Sequence, residues 1–326
     1  MDGMKKLPSK KPAPKKSPPK RKEYCGSIFS WPPGPLPQEF VGVIQELKKE
    51  LKRDIWLLVQ GDGSGGPYSE LDDQVVQKFV LSKSDFPATP PAIVLDSPGG
   101  LASEAYRLAM LFRRVSKGYA VIIPRYAKSA ATLLTLGADE IYLGDDAELG
   151  PLDTQVYDSD EEERWISALD EVSAIETLQQ SAFSMAVAGL FAAQGSTRKR
   201  LNTLMPHVFK FVAELNAPLF QKVDAVRFTR MSRILDVAQQ YAVRLLEKKY
   251  GKESATSIAH DLVANYPTHG LIINREETRK IGTRGAHRPP VGLRVERNTA
   301  NMNRILDELY GLVPQITAIG RLTEKK

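Results

Sequence analysis

Short apolar runs alternate along the first half of the chain with longer stretches whose apolar positions recur at three- and four-residue steps. Ala92-Ile93-Val94-Leu95, Tyr119–Pro124 and Asp54–Gln60 read as buried strands, and Glu140–Leu143 as a shorter one. Phe40–Leu51, Leu71–Leu81 and Leu101–Val115 read as helices between them; in the last, Leu101, Ala105, Leu108, Leu111 and Phe112 share one face. Ala130–Leu136 is a short apolar helix opened by Ser129. This alternation implies right-handed βαβ crossovers, hence an α/β fold with a mostly parallel sheet.

The second half reads as helical. Trp165–Phe191 forms a long helix whose Ala-rich end suits packing against another helix or a subunit. Val226–Tyr250 carries an apolar stripe through Ile234, Val237, Ala238, Tyr241 and Leu245, and Ile258–Tyr266 is shorter. Thr299–Leu312 is amphipathic through Met302, Ile305, Leu306, Leu309 and Tyr310, and the residues beyond it are expected to fray. The acidic run Asp158–Glu163 reads as a solvated helix start.

Charge changes the picture at one end only. The net charge is +6, but residues 1–23 hold nine Lys/Arg against Asp2 and Glu23, so the rest of the chain is close to neutral. Met1–Gln38 is Pro- and Lys-rich without apolar periodicity, which predicts a disordered tail, and it lacks the apolar core of a signal peptide. Residues 1–23 suit weak, non-specific contact with nucleic acid or an anionic surface. Trp31-Pro32-Pro33-Gly34-Pro35 suits docking on a partner or on the domain itself. No apolar run reaches the length of a membrane span. Cys25 stands alone, which excludes an internal disulfide and a Cys-based zinc site and points to a reducing, cytoplasmic setting. No pair of His residues has metal-ligand spacing, so neither metal nor cofactor is expected.

Two turns carry the candidate chemistry. Asp96-Ser97-Pro98-Gly99-Gly100 follows a strand, and its glycines permit positive φ and close backbone approach. Ser129 follows a second strand and opens a helix. Amides of Gly100 and Ala130 can then converge as an oxyanion hole beside the Ser129 hydroxyl. Gly61-Asp62-Gly63-Ser64-Gly65-Gly66 lacks the Walker Lys-Ser/Thr and the dinucleotide fingerprint, and reads as a flexible loop over the site.

"DSPGG" followed by "AKSAATLLTLGADEIYLGDDAELGPLD" resembles the Clp protease/crotonase superfamily, most closely its signal-peptide-peptidase-A-like, serine dehydrogenase proteinase branch. The interval from Gly100 to Ser129 is similar to that between the Gly-Gly turn and the nucleophile in Clp-type proteases. The resemblance covers roughly Asp54–Gly282. It implies a spiral of ββα units with added C-terminal helices, divided as a basic tail (1–38), a ClpP/crotonase-like serine peptidase domain (39–292) and a C-terminal helix and tail (293–326). It implies a peptide or protein substrate, a Ser129 acyl-enzyme and assembly as a homo-oligomer.

The chain departs from that pattern at the base. Where Clp-type proteases carry a His, Asp153 stands at or beside the place, and no Lys lies between Ser129 and Arg198. Lys199, Lys210 and Lys222 are the next lysines; Lys222 has apolar neighbours able to desolvate an amine, although it could equally pair with Asp224. His269, in "YPTHGLIINREETRKIG", resembles the segment near the third triad position of the family. Lys222 and His269 are thus the alternatives for the base. A degenerate scaffold and a crotonase-like acyl-CoA enzyme are the rival functions, since both keep the fold without needing the nucleophile.

Overall fold

The computed structural model describes residues 29–31, 34–61, 66–153, 155–158, 164–266, 270–283 and 292–322. The first elements are β1 (Phe29–Trp31), α1 (Gln38–Leu51), β2 (Ile55–Gln60), α2 (Asp73–Leu81), β3 (Ala92–Asp96) and α3 (Ala102–Ser116). They are followed by β4 (Ala120–Ile123), β5 (Tyr126–Ala127), α4 (Ala130–Leu136), β6 (Glu140–Leu143) and β7 (Glu148–Leu149). A hairpin, β8 (Gln155–Asp158) and β9 (Arg164–Ser167), precedes helices α5 (Ala168–Thr197), α6 (Leu201–Phe220), α7 (Ala225–Tyr250) and α8 (Lys252–Ala264). The short α9 (Arg275–Thr278), then α10 (Ala300–Leu312) and β10 (Thr317–Arg321) complete the chain.

The main sheet has six strands in the order β1-β10-β2-β3-β4-β6. β2, β3, β4 and β6 are parallel neighbours, while β10 runs antiparallel to both β1 and β2. Every residue of β2, β3 and β4 is buried. That follows from a sheet covered on both faces, whose strands read as unbroken apolar runs. Ile55, Leu57 and Val59 turn toward α1 and α10, and the alternate Trp56 and Leu58 join α2, α3 and α4 on the other face.

A second ladder stands off the ends of these strands. Ser97 bridges Ala127, β5 pairs with β7, and Leu149 bridges Ile273. β3 continues through Ser97, and β4 through β5, into this ladder before α3 and α4 begin, which is a ββα repeat. The architecture is the expected α/β fold with a mostly parallel sheet.

Three expectations change. The end of the chain forms β10 in the interior of the sheet, where Thr317, Ala318 and Ile319 are buried. Phe29–Trp31 of the expected tail is a sheet strand, and the Phe29 ring meets Tyr68 edge-on at 4.5 Å. The segment before α5 is a hairpin, and the long helix starts only at Ala168, capped by the Ser167 hydroxyl accepting from the Asp170 amide. The amphipathic stripe of α10 packs within the chain: Met302, Ile305, Leu306 and Leu309 meet Phe40, Ile44 and Leu47 of α1. The Asp158–Glu163 run lies almost wholly, and the 1–28 tail and the centre of the Gly61–Gly66 loop lie entirely, outside the described residues. No described helix is long and apolar enough to cross a membrane.

Candidate active site

Ser129 stands between β5 and α4 with φ 48° and ψ −117°. Such a backbone in a residue bearing a Cβ costs on the order of 1–3 kcal/mol and persists only where the surroundings impose it. Three things impose it here. The ladder fixes the chain before it: the Ser97 amide donates to the Tyr126 carbonyl (3.1 Å) and the Lys128 amide to the Ser97 carbonyl (3.0 Å). Thr132, fully buried in the first turn of α4, holds its hydroxyl within hydrogen-bonding distance of both the Ala127 and Gly150 carbonyls, at 2.7 and 2.8 Å. The third is Gly99, whose backbone lies against Ser129 so closely that any side chain would strike it.

The glycine turn is held from beneath by a buried polar chain. The Gly99 amide donates to Ser97 Oγ (3.1 Å), Ser97 Oγ donates to Gln60 Oε1 (2.5 Å), and Gln60 Nε2 donates to the Tyr68 carbonyl (2.8 Å). On its outer side Leu71 pairs with the turn: the Leu71 amide donates to the Gly99 carbonyl (2.7 Å) and the Leu101 amide to the Leu71 carbonyl (2.9 Å). In an extended segment alternate peptide groups point to opposite edges. With Gly99 and Leu101 committed to Leu71, the amide of Gly100 faces the other way. Neither the Gly100 nor the Ala130 amide donates to another described residue, and Ser129 Oγ has no described partner.

Behind the turn, Arg125 grips Asp96 with two bonds, Nε to Oδ2 at 3.0 Å and Nη2 to Oδ1 at 2.6 Å. Its Nη2 and the Tyr126 hydroxyl both donate to the Gly61 carbonyl, at 2.7 and 2.6 Å. Burial pushes the Asp96 carboxyl above the usual carboxylate range, with the Arg125 guanidinium pulling in the opposite direction. Lys128, next to the serine, is tied to Glu148 at 2.5 Å.

The remaining candidates fall in different places. Asp153 is fully buried, and its Oδ1 accepts from the Leu169 amide at 3.1 Å, which anchors the first turn of α5. Lys199 is exposed between α5 and α6. Lys210 is exposed on α6 beside Glu214 at 3.8 Å. Lys222 is exposed in the turn before α7, and its ammonium makes no hydrogen bond or ion pair with a described residue, Asp224 included. Asp224 instead caps α7 by accepting from the amides of Val226 and Arg227. His269 lies outside the described residues. Its chain neighbour Ile273 exchanges two backbone bonds with Leu149 (2.9 and 3.0 Å), one strand over from Ala127. Sequence reasoning missed Gln60, Ser97 and Thr132, because a polar residue at a strand end or in a short helix has no pattern that reveals its partner.

A strained serine at a strand-to-helix turn, beside a glycine turn on a mostly parallel sheet, is consistent with a ClpP-like fold. Residues 72–170 match the model of the ClpP-like SDH-type serine proteinase family. That span includes Gly99, Gly100, Ser129, Ala130 and Asp153 and ends before Lys222 and His269. Two uncharacterized proteins of Methanocaldococcus jannaschii are similar to the chain. One is 24% identical over 193 residues, 59% of this chain and 52% of its own length. The other is 23% identical over 246 residues, 76% of this chain and 63% of its own length. The chain thus spans between half and two thirds of the length of these relatives.

Proposed function

We propose that the protein is a serine peptidase in which Ser129 Oγ attacks a peptide carbonyl and the amides of Gly100 and Ala130 receive the oxyanion. The observation that carries this reading is the forced φ of 48° at Ser129 with Gly99 packed against it, beside two amides without a described internal partner. Strain of this kind at a turn that ends a strand and opens a helix fits a nucleophile held out of the backbone.

Attack requires a group to take the hydroxyl proton. His269 is the first choice for the base. Ile273 sits two strand spacings from Ala127, roughly 10 Å, and the chain from Ile273 to His269 reaches about 13 Å when extended. Lys222 is the alternative. Its exposed position offers little of the desolvation that activates an amine. Transfer of the proton to the leaving amine and attack by water on the Ser129 ester complete the cycle.

The substrate in this reading is a peptide or protein, and the assembly is a homo-oligomer in which the exposed apolar faces of α5 and α6 are covered by a second copy. Phe183 and Phe191 on α5 are 73% and 67% exposed, which is unusual for a surface that stays in water.

A fluorophosphonate probe tests the chemistry. Labelling of the wild-type chain and none of Ser129→Ala is the expected result. An unlabelled wild type across a rising pH series favours the scaffold reading, and labelling that survives Ser129→Ala removes the nucleophile assignment.

A further inference from the structure

Beside the glycine turn runs a groove of about 830 Å³, bounded by the start of α3 and the first three turns of α7. Its walls combine two features that a solvated surface does not explain. Leu101, the residue after Gly100, is 57% exposed, and Val226 across the groove is 79% exposed. Val226, Arg230, Arg233 and Val237 recur at four-, three- and four-residue steps, so they form one stripe of α7 facing the groove. Arg230 and Arg233 are exposed and have no acidic partner among the described residues. Neighbouring arginines are committed: Arg227 is paired with Glu171 at 2.8 Å, and Arg107 with Asp73 at 2.9 Å.

An apolar floor flanked by two uncommitted guanidinium groups is complementary to a chain that carries apolar and acidic side chains a few residues apart. Arg binds carboxylates through a planar fork of donors, a match that neither water nor an aliphatic surface supplies. The groove is also continuous with the reaction site, because Leu101 directly follows the proposed oxyanion donor.

We propose that this groove docks an acidic peptide segment of the substrate, with an apolar side chain against Leu101 and Val226 and an Asp or Glu carboxylate on Arg230 and Arg233. The proposal rests on the reading of Ser129 as the nucleophile and narrows its substrates to acidic, apolar-containing sequences. Its occupant is the side-chain carboxylate of a peptide, rather than a chain terminus or an anionic acyl carrier.

Binding separates this proposal from the chemistry. Ser129→Ala full-length protein is titrated against fluorescein-labelled peptides with blocked C-termini, in which Leu residues alternate with Glu, Gln or Lys. The Glu peptide is expected to bind about tenfold tighter than the Gln peptide, and the Lys peptide weaker still. The double variant Arg230→Gln/Arg233→Gln, with an unchanged Tm, is expected to bind the Glu and Gln peptides equally. Val226→Ser is expected to weaken both. Equal affinity for Glu and Gln peptides in the parent protein overturns the proposal, as does a Glu preference that survives the double variant. So does a preference that appears only with a free C-terminal carboxylate, or tighter capture of a CoA thioester than of any peptide. Because no bond is cleaved in this assay, a failed fluorophosphonate reaction and a failed peptide preference are read independently.

Discussion

A Cβ placed on Gly99 would sit 2.9 Å from the Cβ of Ser129 and 2.6 Å from the Lys128 carbonyl oxygen, with Gly99 at φ +109°. The serine turn and the glycine turn therefore form one unit: neither can hold its conformation if the other acquires bulk. Two independent penalties coincide at this glycine, a backbone angle that side chains rarely adopt and an atom with nowhere to go.

Gly99→Ala is accordingly expected to destabilise the fold by about 3 kcal/mol or to push Ser129 out of its turn, with loss of probe labelling in either case. Gly42→Ala is the control. It lies in α1, where an added Cβ meets nothing within 4 Å, so it should raise stability by up to about 1 kcal/mol. Thermal melts of the two variants decide the matter; similar Tm values for both would show that the contact has slack.

The polar chain beneath the turn predicts a second effect. Removing the Ser97 hydroxyl leaves Gln60 Oε1 and the Gly99 amide without their shared partner in a fully buried place. An unsatisfied buried group costs about 1–3 kcal/mol. Ser97→Ala should lose stability in that range and quicken amide hydrogen exchange at Gly99 and Leu101, while Ser103→Ala on the exposed start of α3 should do neither. Unaltered exchange at these two amides would mean that Leu71 alone holds the turn.

What the sequence made legible was whatever repeats or runs. Ile55–Gln60, Ala92–Asp96 and Ala120–Ile123 are buried on both faces, so each appears as an unbroken apolar run, and the helices between them keep their stripes. The Gly-Gly turn and Ser129 were legible because they stand in order, at the separation that the resemblance to Clp-type proteases implies. β10 was not, because Thr317-Ala318-Ile319 is too short to outweigh its place at the end of a chain, and only pairing with β2 makes it a strand. The β8–β9 hairpin was hidden by an acidic run that suits a helix start equally well. The Gln60–Ser97–Gly99 chain joins residues far apart in sequence, and no local period records such a link. Nor did the setting of Lys222 have a local signature: it is exposed in the turn between α6 and α7, which its apolar sequence neighbours did not reveal.

The Asp96–Arg125 pair predicts a pH dependence whose sign can be fixed. Burial raises the Asp96 carboxyl above its unfolded value, so the folded chain binds more proton than the unfolded chain between those two values. Stability contributed by this group must fall as pH rises through that window, by at most about 1.4 kcal/mol per pH unit. Asp96→Asn removes the titration and costs a constant amount through the altered pairing with Arg125. The Tm advantage of the parent over Asp96→Asn should therefore be largest near pH 4 and shrink toward neutrality. A difference that grows with pH would mean that Arg125 outweighs burial and that the carboxyl is depressed.

The α5–α6 hairpin predicts the assembly. Phe183 and Phe191 on α5, with Phe211 at 64% exposure on α6, stand in solvent on helices that pack on each other. Since these rings touch little within the chain, Phe183→Glu and Phe211→Glu should leave the monomer's helicity and internal packing intact. If a second copy covers them, each buried carboxylate would oppose association by several kcal/mol. Light scattering should then report a mass that falls to that of one 36.2 kDa chain in the variants but not in the parent. A parent already monomeric at micromolar concentration, or variants that assemble as it does, would assign those faces to something other than self-association.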